Sequence, residues 1–194
     1  MAAEKRSVTV VLLLGFMADP KASAALLAGG QEWAEFRGST FGRPDLSNAN
    51  LFEARLSGVM LIDTNLMGAV LTRADLPDAD LSGANLRNAY VRDADLRDAE
   101  LVGATLRSVN LTRADLTGAD LTGADLGRAK LLDAVLIGAN LTNTDLTGAD
   151  VSGANFTGAH LAGAVLTDVK WTVGDAPKWP EGFDQPPNSE PPSR

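Results

Sequence analysis

The chain of 194 residues has no cysteine, so neither a disulfide nor thiolate chemistry is available to it. It has a single histidine, His160, which rules out multi-histidine metal sites and leaves little for general acid–base work. Aromatic residues make up only 5% of the sequence, whereas a conventional globular core of this size is usually filled with more Phe, Tyr and Ile. Basic residues are outnumbered, 17 against 25 acidic, for a formal net charge of −8. That balance argues against non-specific nucleic-acid binding, which needs a basic footprint. A charge of this size also keeps many ordinary domains soluble, so by itself it names no partner. The one long apolar run, Val8–Phe16, is too short to span a bilayer as a helix.

What the sequence has in abundance is a period. From Leu46 to Leu166 every fifth residue is apolar, 25 positions in succession, all of them Leu except Val91, Val151 and Phe156. Two residues before each stands Ala in 20 cases, the exceptions being Pro44, Val59, Thr64, Val109 and Thr144. The residue directly before is Asp or Asn in 15. The unit reads A-[D/N]-L-x-x, as in Ala119-Asp120-Leu121-Thr122-Gly123.

Five residues advance an α-helix by about 500°, so successive Leu would wander around its axis. On a continuous strand a step of five flips the side chain to the opposite face each time. The period makes one apolar face only if the backbone bends once per unit, always in the same direction. Such a chain closes into coils that stack at about 4.8 Å. The small Ala then shares an interior too narrow for two large side chains per unit, and the polar x-x positions fall at outward bends.

In these residues the chain resembles the pentapeptide-repeat family over roughly residues 44–170. The resemblance implies an all-β solenoid, a right-handed quadrilateral parallel β-helix with four units per coil. The 25 units then give about six coils, roughly 30 Å of rod at ~4.8 Å per coil. Because such a stack is stabilised by neighbouring layers, its two ends need covers. Leu26-Leu27, Gly29, Trp33, Phe36-Arg37 and Pro44-Asp45-Leu46-Ser47 are similar to the family's lead-in, which implies a short N-terminal capping α-helix within residues 17–43. Ala34 and Phe36 depart from its commoner Asn and Trp. Phe36 and Phe41 also keep the five-residue phase, so an extra irregular coil is the competing reading.

Residues 1–16 combine Lys5-Arg6 with the apolar run, and Ala22-Ser23-Ala24 follows downstream, the parts of a secretory signal peptide. Asp19-Pro20-Lys21 interrupts the approach to a cleavage site, and Met17 would make a natural start for the lead-in. The favoured expectation is a cytoplasmic protein with a disordered or over-extended 1–16; export is the alternative. At the other end the phase fades at Trp171, and Lys178-Trp179-Pro180-Glu181-Gly182-Phe183 resembles a tail found after such repeats. The expectation is a β-helix over 44–173, a cap at 174–184 built on Trp171, Trp179 and Phe183, and a disordered Pro-rich tail at 185–194.

Sorting outward positions by their place in a 20-residue coil gives two adjacent acidic columns. One carries Asp75, Asp78, Asp95, Asp98 and Asp115, the other Asp63, Asp80, Glu100 and Asp120, with Arg55 and Arg97 the basic residues among them. A third column, with Arg73, Arg92, Arg113, Lys130 and Lys170 against Glu53, Asp93, Asp133 and Asp150, is basic on balance. Leu132, Val135 and Ile137 stand outward on one late coil as a candidate partner contact. Phe52, Met60, Ile62, Met67 and Val70 ring the first coils, to pack under the lead-in helix or, alternatively, against a second copy.

No G-x-S-x-G, phosphate-cradling Gly loop or metal spacing is present, and His160 has only Asn140 and Asn155 as polar neighbours. The sequence therefore points away from an enzyme and from any cofactor. The leading expectation is a scaffold that binds a protein through one flat face, with no membrane span and no direct nucleic-acid binding. The runner-up is an acidic rod that mimics duplex DNA and binds a DNA-binding protein, as one branch of the family does with DNA gyrase. Against it, Asp belongs to the repeat consensus, Leu rather than Phe dominates the central position, and no loops interrupt the repeats.

Overall fold

The structure, a computed structural model, describes residues 45–187. The expected leader, lead-in helix and most of the Pro-rich tail lie outside the described residues.

Each five-residue unit makes the same local shape. Its Leu points inward and is buried, and the next two residues form a bend. The N–H of the following buried residue then donates back to the Leu carbonyl, as Ala119 does to Leu116 at 3.0 Å. The second bend residue has positive φ in all 25 units, from Asn48 (55°) to Asp168 (56°). A closing hydrogen bond with positive φ at its third residue is the signature of a type II turn. Eleven of these positions are Gly; most of the others are Asn or Asp, the side chains that tolerate left-handed backbone best. The bend that the period demanded is therefore written in the fifth column of the repeat, not in its Leu.

Successive coils are joined by parallel bridges between residue i and i+20, running without interruption from Asp45↔Asn65 to Asp150↔Lys170. Four units therefore complete one coil, and the bridging residues stack into four columns. The first face carries Asp45 through Val165, the second Asn50 through Lys170, the third Arg55 through Asn155 and the fourth Met60 through His160. Within a face each unit bonds both ways: Leu116 N–H donates to Val135 of the next coil at 2.7 Å, and Asp115 N–H to Ala94 of the previous one at 2.9 Å. The interior is a continuous ladder of Leu and Ala, fully buried from Leu46 to Phe156 apart from half-buried Val59.

Two buried hydroxyls interrupt it. Thr144 donates to the Leu121 carbonyl at 2.8 Å. Thr64 has no partner among the described residues, and the carbonyl equivalent to that of Leu121 would belong to Phe41, outside them. Phe52, Met60 and Met67 are exposed, and Ile62 and Val70 half-buried; the segment expected to cover them lies outside the described residues.

The stack changes register at its C-terminal end. Trp171 still holds the central place on the second face, because Val151 N–H donates to Lys170 in the ordinary way. Asn155 then bridges to Lys178, 23 residues on, so a three-residue bulge around Gly174 precedes the closing segment. Trp179 thereby takes the central position one coil above Phe156, and the two rings stack at 4.9 Å and 10°. Trp171 meets Trp179 edge-on at 6.3 Å, and Phe183 lies 5.5 Å from it on another side. Trp171, Trp179 and Phe183 together cover the Phe156 layer where one more layer of Leu would lie.

Candidate interaction surface

The acidic character of the rod has a local cause. Where Asp or Asn precedes the central residue, its side-chain oxygen accepts the backbone N–H two residues later, an Asx turn that steadies the bend. The same bond recurs through the later coils. Every Asp or Asn at this position makes it except Asp75, whose acceptor role is void because residue 77 is proline and has no N–H. Asp and Asn serve equally, which is why both occur there.

A stability test follows. Asp120 accepts the N–H of Thr122 at 2.9 Å and its hydroxyl as well. Asp120→Ala should cost about 1 kcal/mol and Asp120→Asn about nothing, while Asp75→Ala stays within about 0.5 kcal/mol, read from denaturant midpoints. Asp145, held below the usual carboxylate range by the hydroxyl and N–H of Thr147, adds a pH signature. Its folded-state pKa lies below the unfolded one. Its contribution is therefore present above the ordinary value of 3.8 and fades as pH falls through the lowered one. Asp145→Asn should remove that part of the acid sensitivity.

The third face brings Asp75, Asp95 and Asp115 into one bridged stack, and the fourth does the same for Asp80, Glu100 and Asp120. Asp78 and Asp98 sit at the bend that follows the third face, and the Asp98 carboxylate packs against Gly118 one coil on. The stripe is broken at its middle. Arg97 grips Asp95 with two hydrogen bonds, at 2.8 and 2.6 Å, and its guanidinium holds the Asp95 carboxyl below the usual range. The second face carries ion pairs of its own, Arg113 on Asp93 at 2.7 and 2.9 Å and Arg73 on Glu53 at 3.2 Å.

Leu132, Val135 and Ile137 all lie on the coil that runs from Leu126 to Asp145, Leu132 and Val135 half-buried and Ile137 40% exposed. Their stacking neighbours are polar: Thr112, Asp115 and Thr117 on one side, Ser152, Asn155 and Thr157 on the other. The apolar strip is thus one coil wide.

The corner between the first and second faces holds a depression of about 510 Å³ that tallying single columns missed, because its residues come from two of them. Arg107, Arg128, Lys130 and Lys170 line it, with Asp150 and Asp168 between.

Among the described residues no group of three or more His, Cys, Asp or Glu could hold a metal ion, His160 is exposed, and no helix is long and apolar enough to cross a membrane.

A family model described as pentapeptide repeats matches segments 32–68, 49–88, 64–101, 89–128, 114–153 and 134–170. Among solved structures, the chain is 31% identical to HetL of Nostoc sp. strain PCC 7120, a pentapeptide repeat protein involved in heterocyst differentiation regulation. That match covers 66% of this chain and 73% of HetL, with a TM-score of 0.47. It is 28% identical to Rfr23 of Cyanothece 51142, covering 64% and 90% of the two chains at a TM-score of 0.38. It is 24% identical to QnrB1, a plasmid-mediated fluoroquinolone resistance protein, over 64% and 69% at a TM-score of 0.42. A comparison with curated proteins finds no match.

Proposed function

This chain belongs to the pentapeptide-repeat family, and we propose that it is a non-enzymatic scaffold whose rigid, right-handed rod presents a surface to a protein partner. One observation carries this reading. The repeat's own needs account for the inward Leu and Ala, the left-handed bend residue and the Asx acceptor, but not for apolar side chains turned outward. On the coil 126–145 three such positions carry Leu132, Val135 and Ile137 where the coils on either side carry polar residues. Apolar surface displayed against a polar background is the usual mark of a protein contact.

Affinity purification with the full chain should capture a partner whose binding falls about tenfold after Leu132→Lys or Ile137→Glu. Both positions lie outside the core, so the thermal midpoint should stay close to wild type. A captured partner indifferent to both substitutions, or no partner at all, would sink the assignment.

A second reading, an acidic DNA mimic acting on a DNA-binding protein such as a gyrase, is favoured by carboxylates that the bend does not explain: Asp75 makes no Asx turn, and Glu100 replaces the usual Asp or Asn. Supercoiling by gyrase, with and without the purified chain, tests it. No effect at micromolar protein removes it.

A further inference from the structure

The corner groove gathers four cations, Arg107, Arg128, Lys130 and Lys170, on an otherwise acidic rod. Arg73, Arg92, Arg97 and Arg113 each hold a carboxylate at 3.2 Å or less. Arg128 and Lys130, in contrast, are exposed and have no ion-pair partner among the described residues. Arg107 reaches Asp125 only at 3.4 Å and keeps 36% of its side chain exposed. Its position is prepared by glycine. A Cβ on Gly127 would stand 2.9 Å from an Arg107 Nη, so the guanidinium lies where that side chain would be. Gly127 has no positive φ, so its glycine is not required by the bend.

Two features define the ligand. No aromatic residue lines the groove, so a nucleobase finds no stacking platform. Asp150 and Asp168 within the lining interrupt any uniform track for a phosphate polymer. Carboxylates spaced along an extended peptide can meet the cations singly and avoid these acids, at about 3.3 Å of rise per residue. The same coil continues from Arg128 at this corner and Lys130 on the second face to Leu132 at the following bend, two residues beyond Lys130.

We infer that this corner receives an extended acidic segment of the partner protein, its carboxylates on Arg107, Arg128 and Lys130 and an apolar side chain beside Leu132. The inference rests on the scaffold reading and specifies the chemistry of its partner.

The test uses the full chain and a synthetic peptide of about ten residues in which Glu alternates with Leu, followed by fluorescence anisotropy. Binding should weaken as salt rises and drop about tenfold or more in the Arg128→Glu/Lys130→Glu double variant, with unchanged thermal melting. Gly127→Ala, which displaces Arg107, should weaken it about threefold, and Arg73→Gln on the second face should leave it unaltered. Absence of peptide binding, indifference to the double reversal, or tighter binding of a DNA duplex or an anionic vesicle would overturn the assignment. The double variant also separates the two readings. If it still captures the wild-type chain's partner undiminished, the groove assignment fails while the scaffold stands. If neither form captures any protein, the scaffold reading fails.

Discussion

Replacing Leu116 with alanine lowers the free energy of unfolding by about 3 kcal/mol, within the ~2–5 kcal/mol that such a truncation costs in a close-packed core. Leu116 is fully buried at mid-rod, between Leu96 and Leu136 of the adjoining coils, and its unit donates hydrogen bonds to both. Nothing can collapse into the space it leaves. The four walls are pinned by i to i+20 bridges, and the facing Ala side chains are too short to reach across. In a stack where each coil touches only its neighbours, the loss should first appear as local opening. Hydrogen exchange should accelerate most between about residues 96 and 136, with the two ends less affected. A loss below about 1 kcal/mol, or an acceleration uniform along the chain, would show that the Leu ladder is not what holds the coils together.

Trp179→Ala has an effect of similar size and a different distribution. The ring touches Phe156, Trp171 and Phe183, and its Nε1 is buried without a hydrogen-bond partner. The ring is half-buried, so removing it costs about 3 kcal/mol, the low end for an aromatic truncation. Only one coil depends on that end. The closing bridge from Asn155 to Lys178 should be lost and residues 160–187 should exchange freely, while residues before about 140 keep their protection. Trp179→Phe should retain much of the order, because it keeps a ring to stack on Phe156 and discards the unpaired N–H. If Trp179→Ala leaves exchange at residues 160–187 unaltered, the aromatic cluster is an ornament on the last coil rather than its closure.

The inside of the rod was legible in the sequence because burial acts on every unit alike. Leu and Ala repeat with one phase, and only a bend in each unit gives them a common side. The outside was harder to read. Asp and Asn before Leu look like a charge pattern, yet their function at that position is to accept a backbone N–H, which neither composition nor column tallies display. Asp75 shows this by contrast, since Pro77 removes the donor and leaves a carboxylate with no part in the bend. Arg97 lies two residues after Asp95 in sequence, and side-chain reach, not column membership, made them a pair. At the C-terminal end the phase was followed as far as Trp171 and lost there. A bulge of three residues restores it for one more unit, and only the pairing of Asn155 with Lys178 reveals the shift. The corner groove combines Arg107 and Arg128 from one column with Lys130 and Lys170 from the next, so a reading one column at a time passed over it.

The i to i+20 register also governs how such a rod can change in length. Gaining or losing a whole coil leaves every column aligned, so the rod grows while its surface pattern is kept. Gaining a single unit of five residues preserves the core equally well, because Leu still follows Ala and the bend still closes. It turns everything beyond the insertion by a quarter of the circumference. Placed between Leu101 and Leu106, one extra unit would carry the groove around to a neighbouring side, out of line with the columns below it. Length and the azimuth of the binding surface are thus independent quantities, the first altered in twenties and the second in fives.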